Sequence, residues 1–168
     1  MSTNASEDTS LTSQQDSTSN TSSDLESVRP LPKHRTIGGK EHFVLVVHGV
    51  ASGGSSYARV LRNYSISARS YSDPLRAREW LAENRNTTIA LVVDENVPIF
   101  GGEKVVELLE EAGGDIPAAL LANSVEPELL ARFLVRENRS LFTKPVDYGA
   151  LVPWIFQKFP SPILDSSQ

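Results

Sequence analysis

The chain of 168 residues contains no cysteine, which excludes disulfide bonds, thiolate zinc sites and cysteine nucleophiles. It also has no apolar run approaching the ~20 residues that a membrane-spanning helix requires. Its first residues do not form a basic start followed by an apolar stretch, so no secretory signal is expected. The net charge is −5 without basic runs, which makes nucleic acid an unexpected partner. We therefore expect a cytoplasmic protein that binds neither nucleic acid nor membrane.

The N-terminal part of the chain is poor in residues that build a hydrophobic core. Residues 1–24 contain 13 serine or threonine residues and one large aliphatic side chain, Leu11. Such a segment cannot bury enough apolar surface to offset the entropy lost when it is ordered. A Gly38-Gly39 pair further along is typical of a linker. We predict a disordered tail and linker over residues 1–41, one domain over 42–160 and a disordered C-terminal tail over 161–168.

Within the domain, strand-like and helix-like segments alternate. Continuous apolar runs at 43–47 and 89–93 are rich in β-branched residues, which is typical of strands that are buried on both faces. The segments that follow the strands carry apolar residues at helical spacing. We predict strands over 43–47, 66–71, 89–94, 116–122 and 140–143, and helices over 55–64, 74–84, 102–113, 126–134 and from 147 or 150 to 159.

The predicted order implies a specific architecture. Five strands alternating with five helices favour an α/β fold, with one parallel sheet covered by helices on both faces. Right-handed crossovers make such a sheet doubly wound. The last helix contains Pro153, and an interior proline costs ~3 kcal/mol. We therefore expect that helix to start late, with Pro153 in its first turn, or to kink.

Two short motifs end two of the predicted strands. Leu91-Val92-Val93-Asp94 is followed by Pro98, four residues after the aspartate, and by Gly102, eight residues after it. Leu141-Phe142-Thr143-Lys144-Pro145 places a lysine fifty residues after Asp94. Together these motifs resemble the receiver domain of two-component response regulators, over roughly residues 43–159. The resemblance implies a flavodoxin-like receiver fold, with a five-stranded parallel sheet in the strand order 2-1-3-4-5.

The resemblance also implies roles for individual residues. Asp94 takes the position of the phosphoacceptor aspartate, and Lys144 that of the lysine that pairs with the phosphoryl group or the carboxylate. In the family, an acidic pair after the first strand helps to hold Mg²⁺, a hydroxyl follows the fourth strand, and an aromatic residue lies on the fifth. This chain departs at all three positions, which are occupied by His48-Gly49, Ala122 and Leu141.

The missing acidic pair bears on the chemistry of the site. Glu95 is the neighbour of Asp94 on an extended chain and faces the other side, so Asp94 is the one well-placed carboxylate for Mg²⁺. Phosphoryl transfer depends on positioning and charge stabilisation. We therefore expect a pseudo-receiver, which needs no cofactor or metal and is not an enzyme. The alternative is a working phosphoacceptor that a histidine kinase phosphorylates on Asp94 with the help of Mg²⁺.

Several residues near the motifs are candidates for binding, and more than one role is open for each. Asp94 and Lys144 form either a buried ion pair or a site with residual catalytic function. His48 either fills the vacated acidic pocket or contacts a phosphoryl group or metal directly. The register places Ala122 at the hydroxyl position, and a slip of one or two residues would bring Asn123 or Ser124 there. The candidate binding residues are His48, Asn96, Ala122, Asn123, Lys144 and Trp154.

The expected partner is another protein, such as a histidine kinase or a further signalling protein. In the family, signals leave through the face built by the fourth helix, the fifth strand and the fifth helix, and a homodimer through this face is also expected. Trp154 belongs to the fifth helix. It is a contact candidate if its ring is exposed, and otherwise it packs in the core.

Two other families share short features with this sequence. Val46-Val47-His48-Gly49 looks like the oxyanion-loop entry of α/β-hydrolases, but the chain has no G-x-S-x-G nucleophile motif. The glycine-rich turn over 49–54 is similar to a nucleotide-binding loop, but it lacks the lysine and hydroxyl residue of a P-loop. Both families are therefore disfavoured.

Overall fold

The computed structural model describes residues 36–49 and 51–160, without the side chains of residues 51–55. The predicted disorder of residues 1–35 and 161–168 concerns segments outside this part of the chain. Residues 36–41, which were expected to belong to the linker, have regular structure. Strands β1 (Thr36–Ile37) and β2 (Lys40–Glu41) form an antiparallel hairpin around Gly38 and Gly39. Both glycines have positive φ values, 59° and 75°, which is the backbone conformation that a two-residue hairpin turn requires.

The main sheet has five parallel strands. They are β3 (Phe43–Val47), β4 (Ser67–Tyr71), β5 (Thr88–Asp94), β6 (Ala118–Ala122) and β7 (Arg139–Thr143). The spatial order is β4-β3-β5-β6-β7, which confirms the predicted order 2-1-3-4-5. The helices are α1 (Ala51–Asn63), α2 (Pro74–Asn84), α3 (Gly102–Gly113), α4 (Pro127–Phe133) and α5 (Tyr148–Phe156). None of these described helices combines the length and apolar character needed to cross a membrane.

Two apolar layers cover the sheet, one on each face. Side chains alternate along a strand, so Val44 and Val46 of β3 join one layer, and Leu45 and Val47 join the other. The first layer contains buried residues of α1 and α5, such as Leu61 and Ile155. The second layer is completed by buried residues of α2, α3 and α4, including Leu81, Val105, Leu109 and Phe133.

Among the helices, α1 and α5 differ most from their predicted bounds. Helix α1 begins at Ala51 rather than at residue 55. The prediction missed its first turns because they are rich in glycine and serine and carry no apolar periodicity. Helix α5 begins at Tyr148, and the carboxylate of Asp147 accepts a hydrogen bond from Gly149 N at 2.8 Å. Pro153 therefore lies inside α5 and not in its first turn, so the expected late start is wrong. The cap at Asp147 and the burial of Leu151 and Ile155 favour the earlier start.

The core can be tested on helix α2, which carries one buried and one exposed leucine. Leu81 is 0% exposed and Leu75 is 50% exposed. We expect Leu81→Ala to lower the free energy of unfolding by about 2–5 kcal/mol, because it leaves a cavity in the packed layer. The matched variant Leu75→Ala is expected to cost less than about 1 kcal/mol. Urea unfolding measures both values, and equal losses would contradict this description of the core.

Candidate functional site

The candidate site lies at the carboxyl edge of the sheet, where β5 ends. Asp94 is the last residue of β5 and is 2% exposed. Its side chain continues the alternating row of Ala90 and Val92, which faces α1 and α5. His48 follows β3 and continues the row of Val44 and Val46 on the same face. The period of two along neighbouring strands therefore brings the carboxylate and the imidazole together.

Both carboxylate oxygens of Asp94 have partners. Lys144 Nζ donates to Oδ1 at 3.0 Å and to Oδ2 at 3.1 Å. The backbone N–H of Asn96 donates to Oδ1 at 2.8 Å. The Nε2 atom of His48 lies 3.3 Å from Oδ2. The structure thus joins the predicted residues Asp94, Lys144, His48 and Asn96, and Asn96 contributes through its main chain.

The ring of His48 also packs against an aromatic side chain of α1. The ring centroids of His48 and Tyr57 are 5.4 Å apart, with an interplanar angle of 53°. Burial raises the pKa of the Tyr57 hydroxyl, and the negative charge of Asp94 raises this pKa further. Tyr57 was not among the predicted site residues, because its helical spacing with Val60 and Leu61 assigns it to the core. Only the placement of α1 over the end of β3 reveals its second role.

The position after His48 has no room for a side chain. A Cβ atom on Gly49 would clash with the carbonyl oxygen of Asn96 and would lie 2.5 Å from Pro98 Cδ. The loop after β5 therefore fills the place that a second acidic side chain would take. The replacement of the family's acidic pair by His48-Gly49 is thus accompanied by a loop packed against the glycine.

Gly102 explains the spacing of the first motif. A Cβ atom there would lie 2.6 Å from Asp94 O, from Glu95 Cα and from a methyl carbon of Leu120. The first turn of α3 can approach the end of β5 this closely only with glycine at this position. The glycine eight residues after the aspartate therefore fixes α3 against the site.

Glu95 and Asn123 form a separate pair beside the site. The Asn123 backbone N–H donates to Glu95 Oε2, and its side-chain amide donates to Oε1, both at 2.9 Å. The expectation that Glu95 faces away from Asp94 agrees with this arrangement. Asn123, predicted as a binding residue at the Asp94 site, binds Glu95 instead, because the chain turns outward after β6. Ala122 is fully buried, and its carbonyl accepts from Lys144 N at 2.8 Å.

The aromatic positions of the last strand and helix contribute to packing. Leu141 lies at the family's aromatic position and packs in the layer with α2, α3 and α4. Phe142 faces the opposite layer and meets the half-buried ring of Trp154 edge-on, with centroids 5.8 Å apart. Lys158 Nζ lies 5.3 Å from the Trp154 ring centroid. Trp154 therefore combines core packing with a partly accessible edge.

The side chains that contact Asp94 offer nitrogen atoms, whereas Mg²⁺ sites are built from oxygen ligands. This ion prefers octahedral oxygen ligation, including one or two carboxylates. The carboxylate oxygens of Asp94 accept hydrogen bonds from the Lys144 ammonium group and the Asn96 backbone N–H. The other side chain in contact with them is the imidazole of His48. Within residues 36–49 and 51–160, no three histidine, aspartate or glutamate side chains form a metal-binding group. The carboxylate of Asp94 is paired with the ammonium group of Lys144.

The Asp94–Lys144 ion pair can be tested by removing its cation. We expect Lys144→Met to lower the free energy of unfolding by about 1–3 kcal/mol at neutral pH, because it leaves a buried carboxylate without its main partner. The double variant Asp94→Asn, Lys144→Met should lose less than the single variant. Lys104→Met, which removes an exposed lysine of α3, serves as the matched control in urea unfolding. A Lys144→Met loss no greater than that of the control would contradict the structural role of the pair.

Comparisons with known proteins identify the fold. No protein-family model and no curated protein sequence matches this chain. Among solved structures, the chemotaxis protein CheY4 of Vibrio cholerae is 17% identical, with a TM-score of 0.61 over 69% of this chain and 97% of that one. A response regulator receiver domain from Clostridium thermocellum is 15% identical, with a TM-score of 0.60 over 70% and 93% of the two chains.

A third similar structure is a receiver domain that belongs to a protein with an HD domain. The signal receiver domain of an HD domain-containing protein from Pseudomonas fluorescens is 16% identical, with a TM-score of 0.60. The alignment covers 71% of this chain and 94% of that domain. Each alignment spans nearly the whole of the similar domain at low sequence identity, so the likeness rests on the arrangement of strands and helices. This chain has the fold of a response-regulator receiver domain.

Proposed function

We propose that this chain is a receiver-like signalling module that binds a partner protein without Mg²⁺-dependent phosphorylation of Asp94. One observation carries the proposal. The positions of the family's acidic pair are taken by His48, whose Nε2 lies 3.3 Å from Asp94 Oδ2, and by Gly49, which has no side chain. Within the part of the chain that the structure describes, no group of three histidine, aspartate or glutamate side chains could hold the ion that offsets the charge of an incoming phosphoryl group.

The close packing around the site supports the same proposal. The loop after Asp94 lies against Gly49 and leaves no room there for a Cβ atom. An acidic side chain at that position, as a ligand for Mg²⁺, would require this loop to move. We infer that the role of the ion pair is to hold the carboxyl edge of the sheet in one conformation.

The proposed partner is a protein, either a histidine kinase or another signalling protein, and the proposed location is the cytoplasm. Two exposed apolar residues directly follow α4, Leu134 at 41% and Val135 at 76%. Such side chains support an interaction surface. A homodimer through the face of α4, β7 and α5 stays a prediction.

Phosphorylation is tested directly by intact-mass spectrometry after treatment with acetyl phosphate and Mg²⁺. We expect no added phosphoryl group, because the acidic pair is missing. A receiver domain that has the acidic pair is the positive control for the reagent. A mass increase of one phosphoryl group that is absent from Asp94→Asn would overturn the proposal and establish the phosphoacceptor function.

The role of the missing acid is tested with His48→Asp. This variant places a second carboxylate beside Asp94, so we expect it to gain a weak divalent-ion site. Mn²⁺ is the probe, since this paramagnetic ion broadens amide signals near its binding site in NMR spectra. The amides of Glu95 and Asn96 should broaden in the variant and stay sharp in the original protein. Equal broadening in the two proteins would mean that His48 does not prevent ion binding.

A further inference from the structure

A cleft lies between α3 and α4, separate from the Asp94 ion pair. Its volume is about 570 Å³, which is within the ordinary range for a binding pocket. Leu120 and Leu129 provide apolar lining, and Gly101 and Gly102 open its wall at the start of α3. Asp94, Lys144 and His48 are not among its lining residues. The proposed signalling function therefore leaves this concave surface without an assigned role.

The charge around the cleft is mostly negative. Four glutamates line it, together with Lys104 and Arg132. Arg132 is committed to one of them, since its guanidinium binds both oxygens of Glu103 at 2.6 and 2.7 Å. This hydrogen-bonded pair also lowers the pKa of Glu103, so Glu103 stays ionised and cancels the charge of Arg132. The remaining carboxylates are those of Glu95, Glu107 and Glu126, which outnumber the one other lining cation, Lys104. Glu126 also lies near enough to Arg132 to interact with its charge.

An apolar projection adjoins this acidic rim. Ile99 is 99% exposed, and Phe100, which lines the cleft, is 38% exposed. The backbone of Ile99 has a φ of 73°, in the left-handed region that a β-branched residue rarely adopts. Val125, in the loop between β6 and α4, is 41% exposed. Exposed apolar side chains grouped beside a concave surface indicate a protein contact rather than isolated surface residues.

We propose that the α3–α4 cleft and the Ile99-Phe100 projection form a docking surface for a basic amphipathic segment of a partner protein. This inference rests on the proposed function and names the chemistry of the partner. An apolar side chain of the segment packs on Leu129 and Phe100. Lysine or arginine side chains on either side meet Glu107 and Glu126, whose charges are complementary. The same negative rim disfavours nucleic acid and anionic membranes as occupants.

The experiment uses two synthetic amphipathic helical peptides as probes. They share one pattern of leucines, and their polar positions carry lysine in one peptide and glutamate in the other. Each is titrated into the full chain and followed by amide chemical shifts. We expect the lysine peptide to shift residues 99–107 and 124–129 in a saturable manner, and the glutamate peptide to leave them unchanged.

Matched variants separate the cleft from the overall charge of the protein. Glu107→Gln with Glu126→Gln removes two charges at the cleft and should weaken binding about tenfold. Glu79→Gln with Glu83→Gln removes two charges from exposed positions of α2 and should leave the affinity unchanged. Equal weakening in the two double variants, or shifts spread evenly over the surface, would overturn the proposal.

Ile99→Gly provides a second test that does not depend on a loss of folding. Glycine adopts positive φ readily, so this variant should unfold no more easily than the original protein while its affinity for the lysine peptide falls. An unchanged affinity would mean that Ile99 is not part of the docking surface and would contradict that part of the proposal. The protein is also concentrated without peptide. If the amide signals of residues 99–107 then shift, a second copy of the chain occupies the cleft, and the proposal of a basic partner segment is overturned. Phosphorylation of Asp94 in the mass experiment would refute the proposed function, whereas the peptide affinities of the unphosphorylated protein test the docking surface separately.

Discussion

The ion pair between Asp94 and Lys144 joins the ends of two strands that are not neighbours in the sheet. Asp94 ends β5 and Lys144 follows β7, with β6 between them. The pair satisfies a carboxylate that is almost completely buried, and an unpaired charge at that position would be costly. Much of the carboxyl edge is organised around this carboxylate. Asn96 turns the following loop by donating to it, and His48 and Tyr57 cover its other side.

The contacts around the Asp94 carboxylate also link the residues that depart from the receiver pattern. The loop that Asn96 starts lies against Gly49, so the glycine and the loop conformation require each other. An imidazole at His48 contacts the carboxylate, where an acidic residue would repel it. These departures fit together around the contacts of Asp94 with Lys144, His48 and the main chain of Asn96. This consistency is why we favour binding over phosphorylation as the way the module acts.

Most of the architecture follows from local patterns. The apolar runs of β3 and β5 predicted buried strands, and the alternation with helices predicted the parallel sheet. The strand order was implied by the resemblance to receiver domains and not by local patterns. Boundaries were less predictable where apolar periodicity is weak. The first turns of α1 contain glycine and serine, and the start of α5 depends on a cap at Asp147 and on burial of Leu151. The cost of Pro153 inside α5 is outweighed by these tertiary contacts.

For the candidate site, the sequence by itself determined that an aspartate, a histidine and a lysine end strands of one parallel sheet. It did so because strand ends meet at one edge of such a sheet. Only the tertiary structure decided which side chains touch. It paired Lys144 and His48 with Asp94, directed Asn123 to Glu95, and placed Tyr57 over His48. It also set Ile99 and Phe100 beside an acidic cleft. These contacts depend on helix placement and on the conformation of loops, which no local periodicity encodes.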